Sequence, residues 1–142
     1  MSPGGPSGPA DGPPGTGGRP PVDRRKLDLG ARGEDLAVAW YTRQGYRVLS
    51  RNWRCREGEL DLVVSRDRCV VFCEVKTRTG TGFGLPAEAV TGEKQRRLRR
   101  LATRWLGEQP PSVGFAEVRF DVASVTLRAG AEPDLDVIEA AF

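Results

Sequence analysis

The sequence predicts an α/β protein in which one mixed sheet is packed against helices. Three observations predict it: two segments with helical periodicity, several runs rich in β-formers, and turn-forming residues separating them in the order αβββαββ. The length of 142 residues suits one domain. A chain of that size buries roughly two-thirds of its unfolded surface and does not need disulfides to hold a core.

Met1 to Pro21 is dominated by Gly and Pro and carries little apolar content, so it cannot offset the entropy of ordering and is expected to be a disordered tail. The basic segment Arg24 to Lys26 follows and reads as a solvated linker within reach of a phosphate backbone. The tail is therefore drawn as residues 1–26 and the domain as 27–142. From Leu29 to Gln44, Leu36, Ala37, Trp40 and Tyr41 recur at helical spacing, and Gly45 stands where a left-handed residue closes a helix. Tyr46–Asn52, Glu59–Val64 and Val70–Lys76 read as three strands of a meander. Thr79–Gly84 reads as a glycine-rich loop and Pro86–Val90 as a short helical turn. A second amphipathic helix, Gly92–Leu106, carries the apolar stripe Leu98, Leu101, Ala102 and Trp105. Glu117–Leu127 and Leu135–Ala140 complete the sheet, and no internal repeat is visible.

Composition removes many chemistries. There is no histidine, which excludes Ser-His and Cys-His nucleophiles, H-E-x-x-H zinc sites and histidine-based nucleases. Cys55, Cys69 and Cys73 are odd in number and lack C-x-x-C spacing, so they read as reduced, mostly buried thiols. No run of about 18 apolar residues and no secretory h-region is present, so a soluble, cytoplasmic protein with no membrane partner is expected. The net charge of +3 is modest but uneven: Lys94 to Arg104 is strongly basic, while Glu57, Glu59 and Asp61 cluster. Any hydrolysis must run on carboxylates, lysine and hard metal ions.

The third predicted strand supplies such groups. Residues two apart share a strand face, so Phe72, Glu74 and Lys76 lie on one side and Val71, Cys73 and Val75 on the other. A tight turn at Asp67-Arg68 would set Asp61 opposite Glu74, about 5 Å away across the hairpin, but Asp-Arg is not a favoured turn pair, and an odd loop or a bulge would separate the two. Facing carboxylates repel unless a cation lies between them, and oxygen ligands without His or Cys select Mg²⁺ or Mn²⁺. Such an ion with Lys76 is sufficient for phosphodiester hydrolysis. The same spacing also fits an ordinary Glu74–Lys76 ion pair beside a turn-serving Asp61. Gly80, Gly82 and Gly84 lack Rossmann spacing, and Gly92-Glu93-Lys94 lacks the rest of a P-loop. Lys94, Arg96, Arg97, Arg100 and Arg104 form a basic helix face that either meets nucleic-acid phosphates or is simply solvated.

Gly33-Glu34 with Ala37, then Gly45-Tyr46, Arg51-Asn52, Gly58-Glu59-Leu60-Asp61 and Phe72-Cys73-Glu74-Val75-Lys76-Thr77-Arg78 resemble the bacterial YraN family. That family is similar to archaeal Holliday-junction resolvases and other nucleases with an Asp, then Asp/Glu-x-Lys, arrangement. The likeness continues through Gly84, Pro86, Ala89-Val90, Lys94, Ala102 and Phe120-Asp121-Val122 to Phe142. It implies a three-layer restriction-endonuclease-like fold, a mixed central sheet flanked by helices. It also implies that Glu34 joins Asp61 and Glu74 as metal ligands, with Lys76 as catalytic base or orienting cation. Two departures stand out: no Pro precedes Asp61, and Cys73 stands where valine is common. The expected function is a metal-dependent endonuclease on structured DNA. Its alternatives are a nucleic-acid-binding module with the nuclease fold and little cleavage, or an interaction protein. DNA against RNA, the cut position and the pairing of two copies stay open.

Overall fold

The computed structural model describes residues 24–80 and 90–142, with side chains from residue 28 onward. Residues 1–23 of the expected tail, nearly all of the Pro86–Val90 turn and most of the Thr79–Gly84 loop lie outside the described residues, whereas Arg24 to Lys26, read as a linker, form the first turn of a helix. The elements are α1 (Arg24–Arg43), β1 (Arg47–Cys55), β2 (Gly58–Arg66), β3 (Cys69–Thr79), α2 (Gly92–Gly107), β4 (Glu117–Leu127) and β5 (Asp134–Ile138), with a 3-10 turn at Pro111–Val113. Every helix and strand read from the sequence is present, and α1 begins upstream of the Leu29 start marked by its apolar periodicity.

The five strands lie in the order β1-β2-β3-β4-β5. The first three form an antiparallel meander, β4 runs parallel to β3 after the α2 crossover, and β5 returns antiparallel. The sheet is mixed because a helix, not a hairpin, joins β3 to β4. Ala37 and Tyr41 of α1 pack with Leu62, Val64, Val71 and Cys73 on one face. Leu98, Leu101, Ala102 and Trp105 of α2 pack with Leu60, Val63, Val70 and Phe72 on the other. This is the expected three-layer arrangement, with β2 and β3 sandwiched between helices.

Local chemistry sets the ends of these elements. Helix α1 stops because Gly45 adopts φ +91°, letting Tyr46 N–H donate to Tyr41 C=O at 3.0 Å and Gly45 N–H to Thr42 C=O at 3.0 Å, the paired bonds of a Schellman motif. Thr91 caps α2, its hydroxyl accepting from Lys94 N–H at 3.2 Å. The β2–β3 hairpin closes through Asp67 and Arg68, with φ values of 51° and 65°. That is left-handed backbone usually given to Asn or Gly. The turn is held from outside: Arg68 donates to Gly114 C=O at 3.0 Å, and its own carbonyl accepts from Ala116 N–H at 2.8 Å.

A buried carboxylate ties the layers together. Asp121 of β4, whose side chain has 0% exposure, pairs with Arg119 at 2.9 Å. It also accepts from Tyr41 Oη at 2.6 Å and from Ala140 N–H at 3.0 Å. It thereby joins α1, β4 and the chain's end. Cys73 is buried, Cys55 and Cys69 are half-buried, and all three are free thiols. No helix among the described residues is long and apolar enough to cross a membrane.

Candidate active site

The pairing of Arg66 with Cys69 through Leu62 with Cys73 fixes the hairpin register. Counting one step further sets Asp61 level with Glu74, but the two are not a ladder pair. The ladder stops there. Leu60 packs toward α2 whereas Leu62 packs toward α1, so the strand loses its alternation at Asp61. Alongside, Asn52 of β1 adopts φ +52°, a conformation Asn tolerates better than most residues. The Asp61 carboxylate accepts from Val75 N–H at 2.9 Å.

On β3, Phe72 joins the α2-side core while Val71, Cys73 and Val75 join the α1-side core. The expected alternation therefore holds, and Glu74 and Lys76 project on the α2 side. Lys76 Nζ lies 3.1 Å from Glu74 Oε2. Lys94 Nζ, reaching across from α2, lies 2.6 Å from the same oxygen. The basic-face reading sets Lys94 among the phosphate-contacting residues, yet it points into the site. The missed signal is its spacing, since Lys94 precedes Leu98, Leu101 and Trp105 by intervals that share one helix face. Arg96, Arg97 and Arg100 are exposed with no acidic partner within 4 Å among the described residues. Arg104 is tied to Glu57 at 3.2 Å.

Glu34 reaches the site's flank from α1. Gly33 makes this possible, because a Cβ there would meet Thr77 Oγ1 of β3 at 1.8 Å. Only the bare backbone lets the helix lie this close. Glu34 accepts from Asn52 Nδ2 at 2.9 Å and lies 3.9 Å from Arg51. With Val75, Lys76, Thr77 and Arg78 it lines an open groove of about 490 Å³. Asn52, which positions Glu34, was legible only as part of the Arg51-Asn52 motif.

The two central carboxylates are driven apart in acidity. Burial and the charge of Glu74 push Asp61 up to about 7, with Glu34 and Glu59 adding to the effect against the Val75 hydrogen bond. Burial also works to raise Glu74, but the hydrogen bond and charge of Lys94, with Lys76, outweigh it and hold Glu74 below its ordinary value. Lys94 itself is lowered, by burial and by neighbouring Lys76, against the pull of Glu74.

Among the described residues, no three acidic side chains converge closely enough to enclose a metal ion. Asp61 and Glu74 are brought together, and Glu34 stands beside them on its own hydrogen bond. The donor set still fits one hard cation, because Mg²⁺ is held by one or two carboxylates and completed by water and substrate phosphates. An unneutralised Asp61 beside Glu74 is what such an ion would relieve.

Fold and site together define a class: a three-layer α/β protein of the nuclease-like kind, with a carboxylate pair and two lysines at the edge of its central strands. Residues 33–125 match the model of the uncharacterised protein family UPF0102, the YraN family whose motifs the sequence resembles. The chain belongs to this family. A UPF0102 protein of Rhodococcus opacus (strain B4) is 48% identical over 116 residues, covering 82% of this chain and 97% of the relative. One from Frankia casuarinae is 50% identical over 119 residues, covering 84% and 99%. One from Mycolicibacterium gilvum is 55% identical over 116 residues, covering 80% and 93%.

Proposed function

We propose that this protein is a metal-dependent nuclease, an endonuclease acting on structured DNA. The observation that carries the reading is half-buried Asp61, held on Val75 N–H of β3 where the β2–β3 ladder ends, beside a Glu74 on which Lys76 is seated. Asp61 and Glu74 would hold Mg²⁺ or Mn²⁺, with Glu34 at the flank. When bound, that ion supplies a Lewis acid for the phosphate and an acidified water. Lys76 orients the attacking water and offsets negative charge that grows on the phosphoryl oxygens. The Asp61–Val75 hydrogen bond keeps one carboxylate oxygen fixed. Exposed Arg96, Arg97 and Arg100 hold the backbone of the nucleic acid without reading its bases.

A second reading, a nucleic-acid-binding module with little cleavage, draws on the two lysines that already neutralise Glu74. Incubating the protein with labelled four-way junctions, flaps, single strands and duplexes in Mn²⁺ or Mg²⁺, against EDTA, separates the two. The nuclease reading expects metal-dependent cleavage that falls about a hundredfold or more in Asp61→Asn, Glu74→Gln and Lys76→Ala. Binding without cleavage of any substrate would establish the module instead, and cleavage unchanged in both carboxylate variants would remove the assignment of the site.

A further inference from the structure

We infer that Lys94 is an exchangeable counter-ion: it occupies Glu74 while the site is free of metal, and moves onto the phosphate of the nucleic acid when a divalent cation takes its place. The inference rests on the nuclease reading of the site. Lys76 and Lys94 both point at one carboxylate oxygen of Glu74, at 3.1 and 2.6 Å. A divalent ion on Glu74, even on the oxygen that neither lysine holds, would put a third cationic centre within about 5 Å of two ammonium groups, a repulsion that is relieved when one lysine leaves.

The two differ in how they are tethered. Lys76 stands two residues from Glu74 on the same strand face, so its ammonium stays near whatever the carboxylate does. Lys94 comes from another element. Its backbone is pinned by the Thr91 cap, and Gln95 Nε2 bonds Val90 C=O at 3.1 Å, so the start of α2 is a fixed base for a flexible four-carbon arm. The Lys94 side chain is 22% exposed and that of Lys76 32%, so both ammonium groups border solvent and it is the tether that separates them. A lysine ammonium is a compact point charge that suits a phosphate oxygen. Lys94 also balances charge: with Lys76 it neutralises Glu74 in the metal-free protein, so that carboxylate is held without an ion. Exchange then links the two ligands, because the metal binds best when a phosphate is present to accept the displaced lysine.

Calorimetric titration of the full chain with Mn²⁺ alone tests this without relying on turnover. Lys94→Met is expected to bind Mn²⁺ about tenfold more tightly than wild type, equivalent to about 1.4 kcal/mol. It should nonetheless cleave the best substrate at least about tenfold more slowly, since the phosphate loses its lysine. Equal or weaker Mn²⁺ affinity in Lys94→Met, with wild type both binding and cleaving, overturns the role of Lys94 and leaves the nuclease reading standing. Wild type that neither binds Mn²⁺ nor cleaves overturns both. A readout on the unmutated protein guards against a variant that does not fold. The lysine ammonium resonance assigned to Lys94 through Lys94→Arg should be protected in metal-free protein and lose that protection on adding Mg²⁺. A resonance insensitive to saturating Mg²⁺ overturns the exchange.

Discussion

Replacing Asp61 with Asn should stabilise the metal-free protein at alkaline pH, which is unusual for a change at a half-buried charged residue. Asp61 is raised from an ordinary 3.8 to about 7, chiefly by burial and by Glu74. A carboxyl raised on folding keeps its proton in the native state over a range where the unfolded chain has lost it. Its effect is therefore absent below pH 3.8, and native stability is lost as the pH rises through 7. The full span corresponds to about 4 kcal/mol of destabilisation above neutrality. Asn carries no charge and can still accept from Val75 N–H, while screening by water at this half-buried position takes about 1 kcal/mol off that span. The net gain at pH 8 is about 3 kcal/mol, or a rise in Tm of about 10 °C for a domain of this size. Thermal melts of both proteins in EDTA at pH 8 and pH 4 give the measurement. The gain should vanish at pH 4, and millimolar Mn²⁺ at about 100-fold above its Kd should narrow it by stabilising wild type by about 2.7 kcal/mol. An Asp61→Asn protein that melts below wild type in EDTA at pH 8 would refute the argument, because Asp61 would then be serving an ion pair or a turn.

Gly33→Ala should destabilise by about 1–3 kcal/mol in a denaturant melt, because its Cβ overlaps Thr77; Thr77→Ala in the same chain should recover part of the loss. Tyr41→Phe removes the 2.6 Å donor to buried Asp121 and should cost about 1–3 kcal/mol. An unchanged midpoint would show that Arg119 and Ala140 N–H already satisfy that carboxylate. Converting Arg96, Arg97 and Arg100 to Gln should weaken binding to all duplexes alike and flatten the log-log salt dependence by roughly 0.9 per lost contact. Arg104→Gln should change that slope less, since Arg104 is engaged by Glu57, and an unaltered slope in the triple variant would place the nucleic acid elsewhere.

The elements of this fold were legible because periodicity reports which face of a segment is buried, and burial is what the elements share. Both helices and all five strands follow from apolar spacing, and Gly45 announced the end of α1 because left-handed backbone there favours a residue without Cβ. Counting through the Asp67-Arg68 turn set the register as far as Leu62 opposite Cys73, but not the break that leaves Asp61 and Glu74 without a ladder pairing. Glu34 was legible only through family resemblance, since an acidic residue on a helix carries no spacing that distinguishes a site from a solvated surface. Its neighbour Gly33 held the clue, but a close approach between helix and strand becomes visible only when both are in place.

By itself, then, the sequence determined the αβββαββ order, the tight β2–β3 turn and the chemistry on offer: carboxylates, lysine and no histidine. Tertiary structure decided the rest. It clamped an unfavoured Asp-Arg turn with Gly114 and Ala116. It turned Lys94 from a surface cation into a partner of Glu74, and it set Asp61 against Val75 N–H where the ladder breaks. The reason is physical: periodicity encodes the direction of a side chain relative to its own element. Which charges meet, how far each is desolvated and which protonation state wins depend on elements far apart in the chain packing to within a few ångströms.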